Sequence, residues 1–349
     1  MIGSPLEALG GAAIAIPVAI ILVSVLIVVH EAGHYLAARR VGIEVLEFGL
    51  GYPPRIFGRS WRGTVFTLNA IPFGGFARMR GESGDAAEPG SFVSKSRWAR
   101  AFVLIAGPLM NLLAAPLLFA GAALIADLDG VEITRVESGT PAATSGLLVN
   151  DVIRTVDGIE VPTPPDVGAA IRDRVGTEVR LGIERDGELR NVMTTPRTTY
   201  PDDQGPLGVG INLHLAPRPL LEAIGVGFKR TAESIVLLPG LIVETARSDE
   251  GLQVAGPVGI VEMIGQAARQ GPEVVLFLAA LLSTQLALFN LLPWPVLDGG
   301  RLVLIGVEVI RGKPMSVERE GAINFVGIAL LLLLAVLVTV GDIQRIAGG

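Results

Sequence analysis

Four long apolar segments constrain the fold of this chain more than any other feature of its sequence. Each has about as many residues as the ~20 that a helix needs to cross ~30 Å of hydrocarbon, or more. Half of all residues are hydrophobic and only 18% are charged, which is typical of a protein that crosses the membrane several times. The sequence therefore predicts a polytopic α-helical membrane protein with four transmembrane helices, at about 12–37, 101–125, 274–292 and 322–341.

The charges of the connecting segments predict how these spans are oriented. Residues 39–100 carry ten Lys or Arg against five Asp or Glu, whereas 126–272 carry thirteen against twenty-one. Because basic loops remain in the cytoplasm, we expect 39–100 and 293–321 to be cytoplasmic, and 126–272 and both termini to be extracytoplasmic. The first apolar run lacks a basic n-region, so we interpret it as a retained span and not as a signal peptide. The net charge of −6 offers no basic surface, which excludes nucleic-acid binding.

Two segments between the spans lack the pattern of membrane helices. Within the first part of the membrane core, 1–126, the loop 41–80 consists of short β-type runs separated by glycine and proline. It is either an ordinary cytoplasmic loop or a β-structured element beside the membrane, whose backbone must then be buried in protein or face water. Residues 127–196 predict a small α+β domain that ends in a hairpin around Asp186-Gly187.

The rest of the chain predicts a connection back to the membrane core. Residues 197–272 begin as a proline-rich linker with one strand. Within them, Ile235–Val243 is too short to span and predicts an amphipathic helix at the membrane interface. His214 in this linker stands alone and is interpreted as a surface histidine. The second part of the membrane core, 273–349, contains the last two spans.

The end of the first apolar run carries the sequence His-Glu-Ala-Gly-His at residues 30–34. In a helix, His30 and His34 project from one face, so both imidazoles can reach one metal ion, and Glu31 lies beside them to act on a water. Strongly polar groups in an apolar run are costly, which indicates a functional site. The alternative is a chance match or a pair of core histidines, with Glu31 buried for no gain.

Two imidazoles leave a catalytic metal one protein ligand short, since such sites have three protein ligands and a water. The chain contains no cysteine, so a carboxylate must supply the third ligand. The best candidate is Asp298, which follows the third span after two prolines that end the helix. The predicted topology places it on the same side of the membrane as His30 and His34. The alternative is an aspartate that caps a loop. Two histidines and a carboxylate favour Zn²⁺ without excluding iron or cobalt.

Two asparagines within the apolar spans are candidates for contacting a substrate. Asn290 lies two turns before Asp298, and Asn111 lies in the second span after Gly107-Pro108. A neutral amide there could hydrogen-bond a substrate backbone or a developing oxyanion. The alternative for both residues is a hydrogen bond that holds two helices together.

At this point the motifs resemble those of the site-2 protease family of intramembrane zinc metalloproteases, in particular the bacterial branch that cleaves membrane-bound anti-sigma factors. Residues 30–34 match the zinc motif of that family. Asn290, Pro293 and Asp298 match its Asn-x-x-Pro-x-x-x-x-Asp-Gly motif, which supplies the third ligand and a substrate-positioning asparagine. The resemblance covers nearly the whole chain.

Two further stretches carry the same resemblance. Ile71–Phe76 is similar to the membrane-reentrant β-loop of the family, and Gly139–Gly158 is similar to the signature of a PDZ domain, with Asn150 where glycine is more common. The chain has room for one PDZ domain, whereas the best-known enterobacterial relative has two in tandem. The resemblance therefore implies four spans, a membrane-associated β-loop and an inserted extracytoplasmic PDZ-like α+β domain.

The implied activity is hydrolysis of peptide bonds within or near transmembrane helices, in regulated intramembrane proteolysis at the plasma (inner) membrane. Zn²⁺ would be held by His30, His34 and Asp298 near the cytoplasmic side, with Glu31 as general base. Substrates would be single-pass membrane proteins similar to anti-sigma factors, recognised within the lipid bilayer.

Two other classes of function compete with this interpretation. An inactive membrane scaffold could bind peptides through its PDZ-like domain, but a scaffold has no use for the carboxylate of Glu31. A metal transporter would need further His, Asp or Glu along several spans, and the second and fourth spans contain none of these. Cleavage of a model transmembrane substrate, with and without a zinc chelator, separates the three classes.

Overall fold

A computed structural model describes residues 5–82, 88–201, 204–247, 255–313 and 315–348 of the chain. The chain forms two compact units. The first, here called the membrane unit, comprises Met1–Ala122 and Leu220–Gly349, and the second, the inserted unit, comprises Ala123–Pro219. In chain order, the elements are α1 (Pro5–Arg40), β1 (Val45–Trp61), β2 (Thr64–Met79), α2 (Arg97–Ile125), β3 (Asp127–Val136), α3 (Pro141–Thr144), β4 (Val152–Val156), β5 (Ile159–Glu160), α4 (Pro164–Arg172), β6 (Val179–Arg185), β7 (Glu188–Thr194), β8 (Val209–Ala216), α5 (Leu220–Arg247), α6 (Pro257–Gln270), α7 (Pro272–Asn290), α8 (Asp298–Arg311) and α9 (Val317–Gly348).

Within the described residues, four helices are long and apolar enough to cross a membrane. They are α1, α2, α7 and α9, with candidate spans at Ala15–Arg40, Arg97–Ile125, Pro272–Asn290 and Glu318–Gln344. The four predicted spans are therefore confirmed, and the protein is a multi-pass membrane protein. Along an apolar stretch of 18 residues in each span, a third or more of the residues are buried in the first three spans but only 6% in α9, so α9 turns most of this surface outward.

The membrane unit is built around α1. One cluster of buried residues joins α1 to α6 and α7, with Leu22 and Leu26 packed near Ile264 and Leu278. A second cluster joins the last turns of α1 to β1, β2 and α2. Because α1 contributes to both clusters, the histidines near its end lie in a tightly packed part of the unit.

The predicted β-type loop forms an antiparallel pair of long strands, β1 and β2. Val45 is paired with Met79 at the open end and Trp61 with Thr64 at the turn, while residues 47–50 are paired with both 65–68 and 75–78. The strands are attached to α1, since Ser24 Oγ donates a hydrogen bond to the carbonyl of Pro72 at 3.0 Å. The loop is therefore the β-structured element that its pattern allowed, and it packs directly on the first span.

Three helices of the membrane unit were missed or predicted too short from the sequence. The helix α5 runs over 28 residues, where only Ile235–Val243 was predicted as helical. The helix α6 occupies part of the predicted linker, and α8 lies within 293–321, which was predicted as a loop. Each has an apolar face along one side only. In α8 that face packs through Leu302 and Ile305 against the second cluster. Such helices form because a neighbouring surface covers their apolar face.

The inserted unit is an α+β domain, as predicted. Its sheet has the strand order β7-β6-β4-β3-β8, with β5 paired to β4, and all of these pairs are antiparallel. The core combines residues from the strands with Val167 and Ile171 of α4. The edge strand β8 pairs with β3 although it lies beyond the 127–196 range predicted for the domain. His214 lies on β8, with its Nδ1 4.0 Å from a carboxylate oxygen of Glu132.

Candidate metal centre

The structure brings His30, His34 and Asp298 together at one buried point. The Nε2 atoms of the two histidines lie 3.1 Å apart. The Oδ2 atom of Asp298 lies 3.1 Å from His30 Nε2 and 3.2 Å from His34 Nε2. All three residues are less than 9% exposed. They are the one group of potential metal ligands found among the described residues.

The two histidines come from consecutive turns of α1, whereas Asp298 arrives by a sharp change of direction after α7. That helix ends at Asn290, and Val296, two residues before Asp298, has a φ of +82°, which a β-branched residue rarely adopts. Gly299 and Gly300 follow Asp298. A Cβ at either would lie 2.0–2.3 Å from the carbonyl oxygens of Leu291, Leu292 or Trp294. Glycine is therefore required where α8 begins, and it lets Asp298 turn inward.

Two contacts with α2 orient His34. Its Nδ1 lies 2.8 Å from the carbonyl oxygen of Val103 on α2. A carbonyl can only accept, so Nδ1 carries the proton and Nε2 presents its lone pair to the site, as a metal ligand requires. The Cα of Gly107 lies against the same ring, since a Cβ at this position would be 2.3 Å from His34 Nε2. The helix α2 thus fixes both the tautomer and the position of this imidazole.

The donor set fits a zinc ion. Ligands of a tetrahedral site with bonds of ~2.0–2.1 Å lie roughly 3.3 Å from one another, close to the three separations observed here. Two imidazole lone pairs and a carboxylate that converge at this distance repel each other unless a cation lies between them. His30 Nδ1 is buried and has no hydrogen-bond partner in the part of the chain that the structure describes. Among these residues, His30 therefore lacks the outer hydrogen bond that His34 makes to the carbonyl of Val103.

Glu31 lies beside the three potential ligands and is not part of their group. It is partly buried, and its Oε2 accepts a hydrogen bond of 3.0 Å from the backbone N–H of Ala77 on β2. The carboxylate that would act as the base is thus tied to the strand that packs on α1.

The two candidate asparagines lie outside the group of three potential ligands. Asn290 is partly buried, and its Nδ2 donates to the carbonyl of Leu286 at 2.9 Å, a bond within its own helix. Asn111 is fully buried, and neither its Oδ1 nor its Nδ2 has a partner among the described residues. Its backbone carbonyl accepts from Ser283 Oγ on α7 at 2.9 Å. Asn111 lies one turn after Gly107, the residue in contact with His34.

Several residues of the site carried no signal in the sequence. Val103 acts through its backbone carbonyl, which any residue possesses. The N–H of Ala77 is likewise a backbone group, which every residue except proline possesses. Gly107 could have been suspected, because glycine within an apolar helix often marks a close approach of two helices.

Comparison with known proteins extends these observations. The model of a family described as Peptidase family M50 matches residues 18–334. A protein of Clostridium perfringens is 35% identical over 93% of this chain and 97% of its own length. The "Zinc metalloprotease RasP" of Shouchella clausii is 31% identical over 94% of this chain and 98% of its own. The "Regulator of sigma-W protease RasP" of Bacillus subtilis is 27% identical over 94% and 97%. Among solved structures, the PDZ domain of the SdrC-like protein from Listeria monocytogenes is similar to 25% of this chain and 90% of its own, with 25% identity and a TM-score of 0.22.

Proposed function

The chain belongs to peptidase family M50 and is an intramembrane zinc metalloprotease, and on this premise we propose that His30, His34 and Asp298 hold its zinc ion while Glu31 moves the protons. The observation that carries the proposal is the convergence of three buried donor atoms at 3.1–3.2 Å, next to a carboxylate that is not itself a ligand.

Proton transfer falls to Glu31. When bound, zinc supplies Lewis-acid chemistry, which lowers the pKa of a water and polarises a carbonyl. The Oε2 of Glu31 already accepts the N–H of Ala77, which leaves Oε1 to take a proton from the attacking water. The same carboxylate then delivers that proton to the leaving amine.

Asn111 and Asn290 are proposed to position the substrate. The amide of Asn111 is buried without a partner among the described residues, a costly arrangement that a peptide group of the substrate would relieve. The Nδ2 of Asn290 is used within its helix, but its Oδ1 can still accept a backbone N–H. Their roles would be to hold the scissile carbonyl and to stabilise its developing negative charge.

The substrate must reach the site as an extended chain. An intact helix hides its carbonyls in hydrogen bonds to residues four positions along, so a transmembrane substrate has to unwind locally. The strand β2 lies beside the base, because the N–H of Ala77 is bonded to Glu31. We propose that the unwound segment pairs with the 64–79 loop as an added strand.

The RasP relatives imply that membrane proteins are the substrates. We propose single-pass transmembrane proteins similar to anti-sigma factors, cleaved within or near their membrane helix. The charge of the loops supports a cytoplasmic position for 39–100 and 293–321, which puts the metal centre near the cytoplasmic face and the inserted unit outside. The PDZ-like inserted unit would then restrict substrates by size or bind an already trimmed end.

The test is cleavage of a reporter transmembrane helix by the purified full-length protein in detergent. We expect cleavage that a zinc chelator stops and added zinc restores. Glu31→Gln should abolish cleavage while about one zinc per chain remains, because the ligands are intact. Asp298→Ala should lose the zinc itself. Cleavage by the Glu31→Gln protein would remove Glu31 from its role, and zinc retained at full occupancy by Asp298→Ala would remove that residue from the site. A zinc-bound wild type that binds peptides and never cleaves would instead be a scaffold.

A further inference from the structure

The carboxylate of Glu82 joins the end of β2 to the start of α8. Glu82 Oε1 accepts a hydrogen bond of 2.7 Å from Nη1 of Arg301, and Glu82 Oε2 accepts one of 3.2 Å from the backbone N–H of Met79. The side chains of Glu82 and Arg301 are 27% and 19% exposed, so this ion pair is partly shielded from water. Each oxygen of Glu82 therefore holds a different element of the membrane unit.

Arg301 is well placed to fix the ligand Asp298. It lies three residues later, so the two side chains leave the same first turn of α8. The guanidinium of Arg301 also lies over the ring of the buried Phe92, 5.3 Å from its centroid. Leu297 at the N-terminal boundary of the helix makes no side-chain cap, so the orientation of this turn depends on contacts from outside α8.

The far end of α8 is held separately. Glu308 accepts hydrogen bonds from Arg97 and Arg100 at the start of α2, at 2.7–3.1 Å. Burial alone would raise the pKa of Glu308, but these two guanidinium groups lower it below its usual value. This contact fixes α8 against α2 about three turns away from Asp298, so it constrains the ligand less directly than Arg301 does.

The edge of β2 links Glu82 to the base as well. Arg80 donates its N–H to the carbonyl of Glu44, on the side of β1. Backbone N–H groups alternate along a strand, so those of Ala77 and Met79 point to the opposite edge. They are bonded to Glu31 and Glu82, respectively. Two carboxylates thus occupy this edge of β2, and one of them, Glu82, is paired with Arg301 on the helix that carries Asp298.

We propose that Glu82 is a positioning residue that acts through Arg301 to hold Asp298 at the metal centre, tying the β2 edge to the ligand helix. The proposal rests on the proposed function, since it takes Asp298 to be a zinc ligand. It predicts that zinc retention depends on a pair of residues that do not touch the metal.

The experiment compares the rate of zinc release to a chromophoric chelator from the full-length protein in detergent. Glu82→Gln keeps an acceptor for the N–H of Met79 but loses the charge that binds Arg301, and Arg301→Gln loses the other partner. We expect each to release zinc faster by about tenfold, the lower end of what loss of an outer contact costs a metal site. The double variant should release it no faster than either single one. Glu88→Gln is the matched control, because Glu88 is exposed and pairs only with Arg80 in the described part of the chain.

Two further measurements separate positioning from general damage. The visible spectrum of the cobalt-substituted protein should change in Glu82→Gln and not in the control, because the geometry around the ion would change. Arg301→Lys restores the charge and should retain zinc better than Arg301→Gln. Zinc release and cobalt spectra equal to wild type would overturn the proposal, as would effects that multiply in the double variant or an Arg301→Lys protein no better than Arg301→Gln. Asp298→Ala is measured alongside. If the Asp298→Ala protein keeps its zinc, the assignment of Asp298 as a ligand fails. If Asp298→Ala loses zinc but the Glu82 variants keep theirs, only the positioning role of Glu82 fails.

Discussion

Gly107→Ala is the smallest change that should disable the metal centre. The new Cβ would lie 2.3 Å from Nε2, 2.5 Å from Cε1 and 2.8 Å from Cδ2 of His34. Nonbonded carbon contacts are optimal at about 3.5–4.0 Å, so the ring or the helix α2 must retreat by about 1 Å. Retreat of the ring would also weaken the hydrogen bond between His34 Nδ1 and the carbonyl of Val103.

A displacement of that size is large for a metal ligand. Ligand distances in metal sites hold within about 0.2 Å, so a shift of ~1 Å removes His34 as an effective ligand. We expect zinc affinity to fall by at least 10–100-fold, as for loss of an outer contact, and cleavage to fall by on the order of 100-fold or more. The overpacking itself should cost about 1–3 kcal/mol of stability, partly offset by the higher helix propensity of alanine.

Gly121→Ala is the matched control on the same helix. A Cβ there would lie 3.5 Å from Leu276 Cδ1, an ordinary contact, while the gain in helix propensity is the same. The assay is zinc content by metal analysis, combined with cleavage of the reporter helix and thermal unfolding of both variants. If Gly107→Ala binds zinc and cleaves like Gly121→Ala, then α2 does not pack against His34 as closely as these distances require.

Three further changes test other parts of the molecule. Asn111→Leu removes a buried amide that has no partner among the described residues, so it should raise the unfolding temperature. It should also lower kcat by roughly 100-fold or more while the zinc content stays unchanged. Cleavage equal to that of the wild type would exclude a role of Asn111 in catalysis. Asp342→Ala removes the carboxylate that accepts the N–H groups of Gly256 and Gly259 at the start of α6, at 3.1 and 2.8 Å, and should destabilise the membrane unit by about 1–3 kcal/mol in a thermal or denaturant titration. In the inserted unit, burial raises the pKa of Asp129, but hydrogen bonds from Arg154 outweigh it and lower the pKa below its usual value. The stabilisation of the inserted unit by this pair is therefore present above the unfolded pKa near ~4 and lost as the pH falls through the folded value. The protection of β3 and β4 against hydrogen exchange, taken relative to the intrinsic exchange rate at each pH, should therefore fall in acid, and less so in an Arg154→Met protein.

Local sequence patterns were sufficient to predict the features that depend only on residues close together in the chain. Apolar length predicted the four spans, because a membrane helix must satisfy its backbone internally and cover about 30 Å whatever surrounds it. The spacing of His30 and His34 predicted that both face one side, because four residues make about one helical turn. Alternation and turn residues likewise predicted the α+β character of the inserted unit.

The same patterns failed where one element depends on another. The helix α8 was taken for a loop, since its single apolar face becomes favourable only against the cluster around Val45 and Met79. The linker strand Val209–Ala216 joins the sheet because β3 offers it an edge. The residues next to α8 and β8 in the sequence do not indicate which distant element each one packs against or pairs with.

The metal centre, too, could be predicted from the sequence only in part. Residue chemistry alone indicated two imidazoles and a nearby base, and the lack of cysteine required a carboxylate as the third ligand. The predicted topology already made Asp298 the best candidate for that ligand. Only the tertiary structure brings its carboxylate, 268 positions from His30, within 3.1 Å of that imidazole, places the carbonyl of Val103 against Nδ1 of His34, and bonds Ala77 to Glu31. The physical reason is that ligand spacing within one helix is set by its own hydrogen bonds, whereas the approach of two helices is set by packing between surfaces that are far apart in the chain.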